Sequence, residues 1–208
     1  IILSISYIFL CSCTDENDLF EEPAADRLTA TLAEYKSILT GAKNGWIMEY
    51  YAGEEPSKNG GYTYLCLFGS DGKVTAASEL DIGIHAAGDK VTSLYKLIAN
   101  QGIVLTFDTY NDLLHYFSTP SKENPNGMKG DYEFIIKEVS PQKVVMQGKK
   151  WKNIITMTPM PEDITWEDYL DGIIKMVESG FYPMYKLLIN GKEADVEIKM
   201  SFETRLFT

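Results

Sequence analysis

The sequence predicts a mainly β protein with flanking helices, built on an antiparallel meander. A lipocalin-like barrel is favoured, with a sandwich or an open sheet as the alternative. Three observations carry this prediction. Between Gly61 and Pro159 apolar residues recur with period two: Tyr62, Tyr64, Cys66 and Phe68 alternate with Thr63, Leu65 and Leu67. Side chains of a strand point alternately to opposite faces, so this period marks half-buried strands. Turn chemistry separates the runs at short intervals, as in Gly69-Ser70-Asp71-Gly72-Lys73 and Ser140-Pro141-Gln142-Lys143. Sequential hairpins of this kind suit an up-and-down barrel.

The elements follow in chain order. Pro23 sits where a helix tolerates proline, and Leu28, Leu32, Tyr35 and Leu39 then recur at spacings of four, three and four. That stripe, widened by Ile38, predicts a helix covering one face or end of the sheet. Gly41 and Asn44-Gly45 stop it. Trp46–Tyr51 is the first strand, and 54–60 a loop. Val74–Leu80 answers the first hairpin arm. Val91–Ile98 and Ile103–Phe107 form a strand-turn-strand around Asn100-Gln101-Gly102. Asp108–Phe117 is compatible with a short helix or a strand. The proline- and glycine-bearing stretch 118–130 is a long polar loop. Tyr132–Ile136, Val144–Met146 and Ile154–Met157 complete the meander, with Trp151-Lys152-Asn153 as a turn. Beyond Pro159-Met160-Pro161, Thr165-Trp166-Glu167-Asp168 resembles a capping box with Asp in place of Glu or Gln. It opens a helix to about Glu178. Asn190-Gly191 then suits a type I′ hairpin between Tyr185–Ile189 and Ala194–Met200. Helix followed by hairpin echoes residues 23–68, so 160–208 reads as the start of a second, truncated α+β module and 23–159 as the main domain.

Composition bounds the function. The 208 residues carry 19 basic and 30 acidic side chains, a net charge of −11. Such a chain repels phosphate backbones, so nucleic acid is not an expected partner. Three cysteines make no disulfide framework, and Cys66, alone in a strand, reads as a small buried hydrophobe. The absence of an opening Met and the alternation running almost to Thr208 read as a piece of a longer protein.

The first residues carry an address. Ile1–Leu10 is apolar but shorter than the roughly 20 residues a membrane-spanning helix needs, and it fits the apolar core of a signal peptide. Leu10-Cys11-Ser12-Cys13 resembles a bacterial lipobox. The resemblance implies cleavage of residues 1–12 and lipidation of Cys13. Each buried CH₂ contributes about 0.8 kcal/mol, so several acyl chains anchor a protein almost irreversibly. Residues 13–22 are an acidic tether, with Asp15, Glu16, Asp18, Glu21 and Glu22. They resemble the surface-export signal of Bacteroidetes lipoproteins.

With the lipobox, several stretches resemble one family of Bacteroidetes lipoproteins, domain of unknown function 4302. They are Asn44–Tyr51, Gly60-Gly61-Tyr62-Thr63-Tyr64, Leu105–Asn111, His115-Tyr116-Phe117 and Gly130–Phe134. The resemblance implies an outer-membrane, lipid-anchored protein at the cell surface, in the company of uptake systems for glycan or peptide. It carries over no catalytic residue.

The residues themselves nominate little chemistry. His85 and His115 form no metal-ligand motif, Asp71-Gly72 lacks the ladder of a calcium loop, and neither a nucleophile elbow nor a phosphate-binding loop is present. No catalytic, metal or cofactor residue is nominated. Among the aromatics, Trp46, Tyr50, Tyr51, Tyr62, Tyr64 and Trp151 could line a ligand mouth, although strand aromatics usually form core. Trp151, Trp46 and Tyr62 are the candidate ligand contacts, and Trp151 stands apart because it sits in a turn. The function expected is a non-catalytic binding or accessory component of nutrient uptake. The alternatives are an envelope hydrolase with dispersed carboxylates and a structural or adhesin protein.

Cys13→Ala is expected to abolish acyl labelling and to release the protein from membranes or leave an uncleaved precursor. Cys11→Ala should label as the parent does. Labelling that survives Cys13→Ala would exclude this anchor.

Overall fold

The computed structural model describes residues 23–53, 60–179 and 187–194. Helix α1 spans Ala24–Gly41. Nine strands follow: β1 Trp46–Tyr50, β2 Tyr62–Phe68, β3 Lys73–Ser78, β4 Val91–Leu94, β5 Lys96–Ala99, β6 Ile103–Thr106, β7 Glu133–Val139, β8 Val144–Gly148 and β9 Ile154–Pro159. Helix α2, Trp166–Ser179, and a two-stranded hairpin, β10 Leu188–Ile189 with β11 Lys192–Glu193, complete the described elements. Among them no helix is long and apolar enough to cross a membrane.

The nine strands form a single antiparallel sheet in the order β4-β3-β2-β1-β9-β8-β7-β6-β5. Neighbours in sequence are neighbours in space except at one place. The first strand pairs with the last, Met48 opposite Met157, which joins two meanders into a nearly closed barrel. The expected barrel and its alternation both hold. Met48, Tyr64, Cys66, Phe134, Met146 and Ile155 fill the interior at 1% exposure or less.

The run expected as one strand, Val91–Ile98, is two. β4 and β5 are separated by Tyr95 alone, yet they form opposite edges of the sheet. The reason is barrel closure, which requires strands to stagger as they tilt. The Tyr95 amide donates to Gly72 O at 2.9 Å, extending the β3–β4 ladder, while Asp108 N donates to Leu94 O at 3.1 Å, extending the β5–β6 ladder. One bent strand therefore serves both edges. The Tyr95 ring packs edge-on to Phe68 at 4.9 Å, and its hydroxyl donates to Gly69 O at 3.0 Å.

α1 runs against β2 and β5. Burial along its stripe is uneven. Leu39 is fully buried, Leu32, Tyr35 and Ile38 are partly so, and Leu28 is exposed. The C-terminal turn of α1 is pinned by Trp46, whose indole N–H donates to Leu39 O at 2.8 Å. A second, smaller core lies outside the barrel, where Trp166 and Leu170 of α2 pack on Leu65 and Ala77. The Trp166 indole donates to Asn44 O at 2.8 Å. α2 thus starts in contact with the sheet, shortly after β9 ends at Pro159. Its cap forms in altered shape. Asp168 N donates to the Thr165 hydroxyl at 3.0 Å, and that hydroxyl donates to the Asp168 carboxylate at 2.7 Å. Asp is one methylene shorter than Glu, so its carboxylate meets the side chain of the cap rather than its amide.

Asp108–Phe117 is neither a full helix nor a strand. It is a series of turns ending in one 3-10 turn, Tyr116–Ser118. Buried Asn111 sets its path: Oδ1 accepts from Leu113 N and Leu114 N and Nδ2 donates to the Ser93 hydroxyl. Side-chain bonds to the backbone of this kind compete with regular structure and leave no periodicity to read. The Asn190-Gly191 hairpin has the positive φ values, 51° and 75°, that a type I′ turn needs. The remainder of the expected hairpin, 185–186 and 195–200, lies outside the described residues.

Tyr95→Phe should lower unfolding free energy by about 1 kcal/mol, the value of one hydrogen bond. Tyr95→Ala should cost about 3–5 kcal/mol, as for other buried aromatic truncations. Denaturant unfolding checks both, and equal losses would show that the hydroxyl, not the ring, closes the barrel.

Candidate functional site

The turn between β8 and β9 carries Trp151, a half-buried candidate aromatic, and its shape depends on a residue from another part of the chain. Residues 149–153 must reverse direction with Lys152 at a φ of +64°, a conformation that β-carbon-bearing residues rarely adopt. Asp131, 4% exposed, supports the turn. Its Oδ1 accepts from Lys150 N at 2.8 Å and its Oδ2 from Trp151 N at 2.9 Å. Gly148 N closes the loop on Asn153 O at 2.7 Å.

Asp131 is itself held from the barrel interior. The Tyr50 hydroxyl accepts from Asp131 N at 2.7 Å and donates to Asp131 O at 2.8 Å. Two glycines make room. A β-carbon at Gly148 would lie 2.1 Å from Asp131 Oδ2, and one at Gly130 would lie 2.4 Å from the Phe117 β-carbon.

Against this turn lies an open groove of about 530 Å³, bounded on its other side by the loop that contains Ser118 and Pro120. Trp151, half-buried, and Tyr132, 43% exposed, give it two aromatic surfaces. Asp131, Glu133, Lys149 and Lys150 give it charge. Burial pushes the Asp131 carboxyl above the usual carboxylate range, against the amide hydrogen bonds that favour its charged form. Glu133 meets Lys149 at 3.4 Å. The ammonium groups of Lys150 and Lys129 lie 4.6 and 5.6 Å from the centroid of the Trp151 ring, within cation–π range.

The three aromatics nominated from sequence are not brought together. Trp46 is at 0% exposure in the core and offers no surface to a ligand, a correction that follows from its role in holding α1. Tyr62 is half-buried and packs on Phe117 with ring centroids 4.6 Å apart. Tyr50 and Tyr64 are core as well. Only Trp151 of the nominated set lines the groove.

Tyr132, Asp131 and the lysines were not nominated. The signal that marks the lysines is Lys149-Lys150-Trp151-Lys152, a basic run around an aromatic turn residue in an acidic chain; no local signal marks Asp131 or Tyr132.

The histidines are packed or paired. His115 lies between Tyr110 and Tyr132, at 5.1 and 4.8 Å, and burial holds its imidazole below its ordinary range. His85 meets Asp112 at 3.2 Å. Among the described residues no three His, Cys, Asp or Glu side chains gather as metal ligands would. Cys66 is buried, which pushes its thiol up to about 12, so it stays protonated and inert. Cys11 and Cys13 lie outside the described residues.

Fold and site together define a mainly antiparallel β protein with a filled barrel and an aromatic, charged groove at the rim. The chain belongs to the family described as domain of unknown function (DUF4302), whose model matches residues 16–208. No curated protein and no solved structure matches it significantly.

Asp131→Ala should destabilise the protein by about 1–3 kcal/mol, because it leaves the turn amides without their acceptor. The pH dependence has a defined sign. With its folded pKa raised, the native carboxyl binds more protons than the unfolded one, so Asp131 adds stability as pH falls through that raised value. The gap between parent and Asp131→Ala should therefore widen from pH 7 toward the ordinary carboxylate range. A gap that narrows in denaturant titrations would refute the assignment.

Proposed function

We propose that this protein is a Bacteroidetes-type surface lipoprotein, anchored in the outer membrane through Cys13. In this reading it serves as a non-catalytic binding or accessory component of a nutrient uptake system, with glycan or peptide as the ligand. The observation that carries the reading is the rim groove. Ligand sites combine apolar, mostly aromatic surface with a few placed polar groups, and the groove beside Trp151 has that composition. The barrel interior is filled by side chains such as Met48, Tyr64 and Phe134, so a ligand would sit at the surface, and the groove beside Trp151 is one such place. Loops on a rigid scaffold are where binding residues concentrate.

The competing reading, an envelope hydrolase, would have to recruit Asp131 and Glu133 from this groove. Both carboxylate oxygens of Asp131 accept backbone amides, and Glu133 faces Lys149. These engagements favour a structural role for the pair over acid–base work.

A pull-down of the lipidated protein from intact cells, run beside a panel of soluble glycans and peptides, tests the reading. Capture of an outer-membrane transporter or of a panel member, without turnover, is the expected result. Turnover of a panel substrate that Glu133→Gln abolishes would replace it with the hydrolase.

A further inference from the structure

We propose that a second groove, between α1 and the bend at Tyr95, binds an aliphatic chain that ends in one negative group, as a free fatty acid does. The site shares no lining residue with the groove beside Trp151 and does not rest on the function proposed above.

The packing of α1 opens this groove. The helix is pinned at its C-terminal turn, where the Trp46 indole donates to Leu39 O and Leu39 is fully buried. Burial falls toward the N-terminus, through partly buried Leu32 to exposed Leu28. Along Leu32, Ala33 and Lys36 lies an open groove of about 500 Å³. The bent strand at 94–98 and the β2–β3 turn at 70–72 form its other sides. Tyr95 ties those two together, its amide donating to Gly72 O at 2.9 Å and its hydroxyl to Gly69 O at 3.0 Å. These walls are formed before any ligand arrives, which spares binding the cost of ordering them.

The first ground is the surface offered. Leu32, Ala33, Leu94, Leu97 and Ile98 are aliphatic, and Leu94 is exposed. Tyr95, the aromatic residue of the lining, is buried and packs edge-on to Phe68, so a flat ring finds no face to stack on. A flexible aliphatic chain gains from such a surface in proportion to the area it removes from water.

The second ground is charge. Asp71, Lys96 and Lys36 are the charged residues of the lining. Asp71 meets Lys73 at 2.9 Å and Lys96 meets Asp108 at 2.6 Å. Among the described residues Lys36 forms no ion pair. Its neighbours three and four positions away on the helix are Leu32, Ala33, Leu39 and Thr40, none of them acidic. Pairing therefore leaves one positive charge beside aliphatic surface, in a chain whose net charge is −11. An ammonium is a point charge, and a single negative head group answers it.

Calorimetric titration of the protein with decanoate, decanol and decyltrimethylammonium, below their micelle thresholds, tests the assignment. The three share one chain and differ in the head. Decanoate should bind about fivefold tighter than decanol, the value of one surface ion pair, and the cation most weakly. Octanoate, two methylenes shorter, should bind about tenfold more weakly than decanoate. Lys36→Gln should remove the preference for decanoate and leave the affinity for decanol unchanged. Ala33→Trp should fill the groove and weaken all of them. Both positions are exposed on α1, and an unchanged melting temperature shows that the helix is intact. A preference for decanoate that survives Lys36→Gln, an affinity independent of chain length, or no binding of decanoate would each overturn the inference. Phosphatidylglycerol vesicles that capture the protein while decanoate does not bind would make this face a membrane contact instead. Tighter binding of an extended Leu-Asp-Leu-Asp-Leu peptide would assign the groove to strand addition at the β5 edge, and the inference would fall. None of these outcomes bears on the groove beside Trp151.

Discussion

Tyr50 holds the molecule and its groove together through one hydroxyl. The phenol lies in the barrel interior, 3% exposed, and exchanges two hydrogen bonds with the backbone of Asp131. Its ring stacks on Phe117 at 5.3 Å and meets Tyr64 and Phe134 edge-on at 5.8 and 6.2 Å. Each such aromatic pair adds about 0.5–1.5 kcal/mol beyond the area it buries. The buried hydroxyl would cost several kcal/mol without partners, so the loop from Phe117 to Asp131 has little freedom to move from it. The Asp131 carboxylate then passes this constraint outward to the turn that presents Trp151. Core packing and groove geometry are therefore coupled through a single residue.

A second constraint decides where a ligand could sit. Closing the sheet bends the chain at Tyr95 and shares one strand between two edges. Small barrels have interiors just wide enough for side chains to fill. With Tyr, Phe and Met occupying that space, the concave surface moves to the loops. The loop between Ser118, at the end of the 3-10 turn, and Asp131 forms one wall of the groove and the β8–β9 turn the other. Backbone bonds from Met128 and Gly130 to Phe117 O fold this loop back on itself, so a segment poor in regular structure is still tied to the core.

Net charge alone does not say how charge is distributed over the folded surface. Lys150 and Lys129 meet at the Trp151 indole because the β8–β9 turn presents the first and the bond from Gly53 N to Lys129 O places the second. Charge averaged over a chain describes its long-range field. Contact recognition depends on the few groups that folding brings within a screening length.

Much of the architecture was legible in the chain. Period-two alternation from Tyr62 to Phe68, the turn signals at Asp71-Gly72 and Asn190-Gly191, and the stripe ending at Leu39 are local patterns, and local patterns dictate which face of a strand or helix is buried. Trp151 stood out for the same reason, an aromatic in a turn. Three features were not legible. Val91–Ile98 reads as one strand because nothing in its alternation records that its two halves pair with different partners. Trp46 and Trp151 are both indoles beside turns, and only packing against α1 sends one to the core and leaves the other at the surface. Asp131 and Trp151 are far apart in sequence, and their meeting depends on Gly148 and Gly130 leaving space that no periodicity announces. Alternation and turn propensity act over a few residues and are written in the order of the chain. Barrel closure, the burial of a particular indole and the capping of a distant turn are set by pairings across the sheet, and those exist only once the strands have been brought side by side.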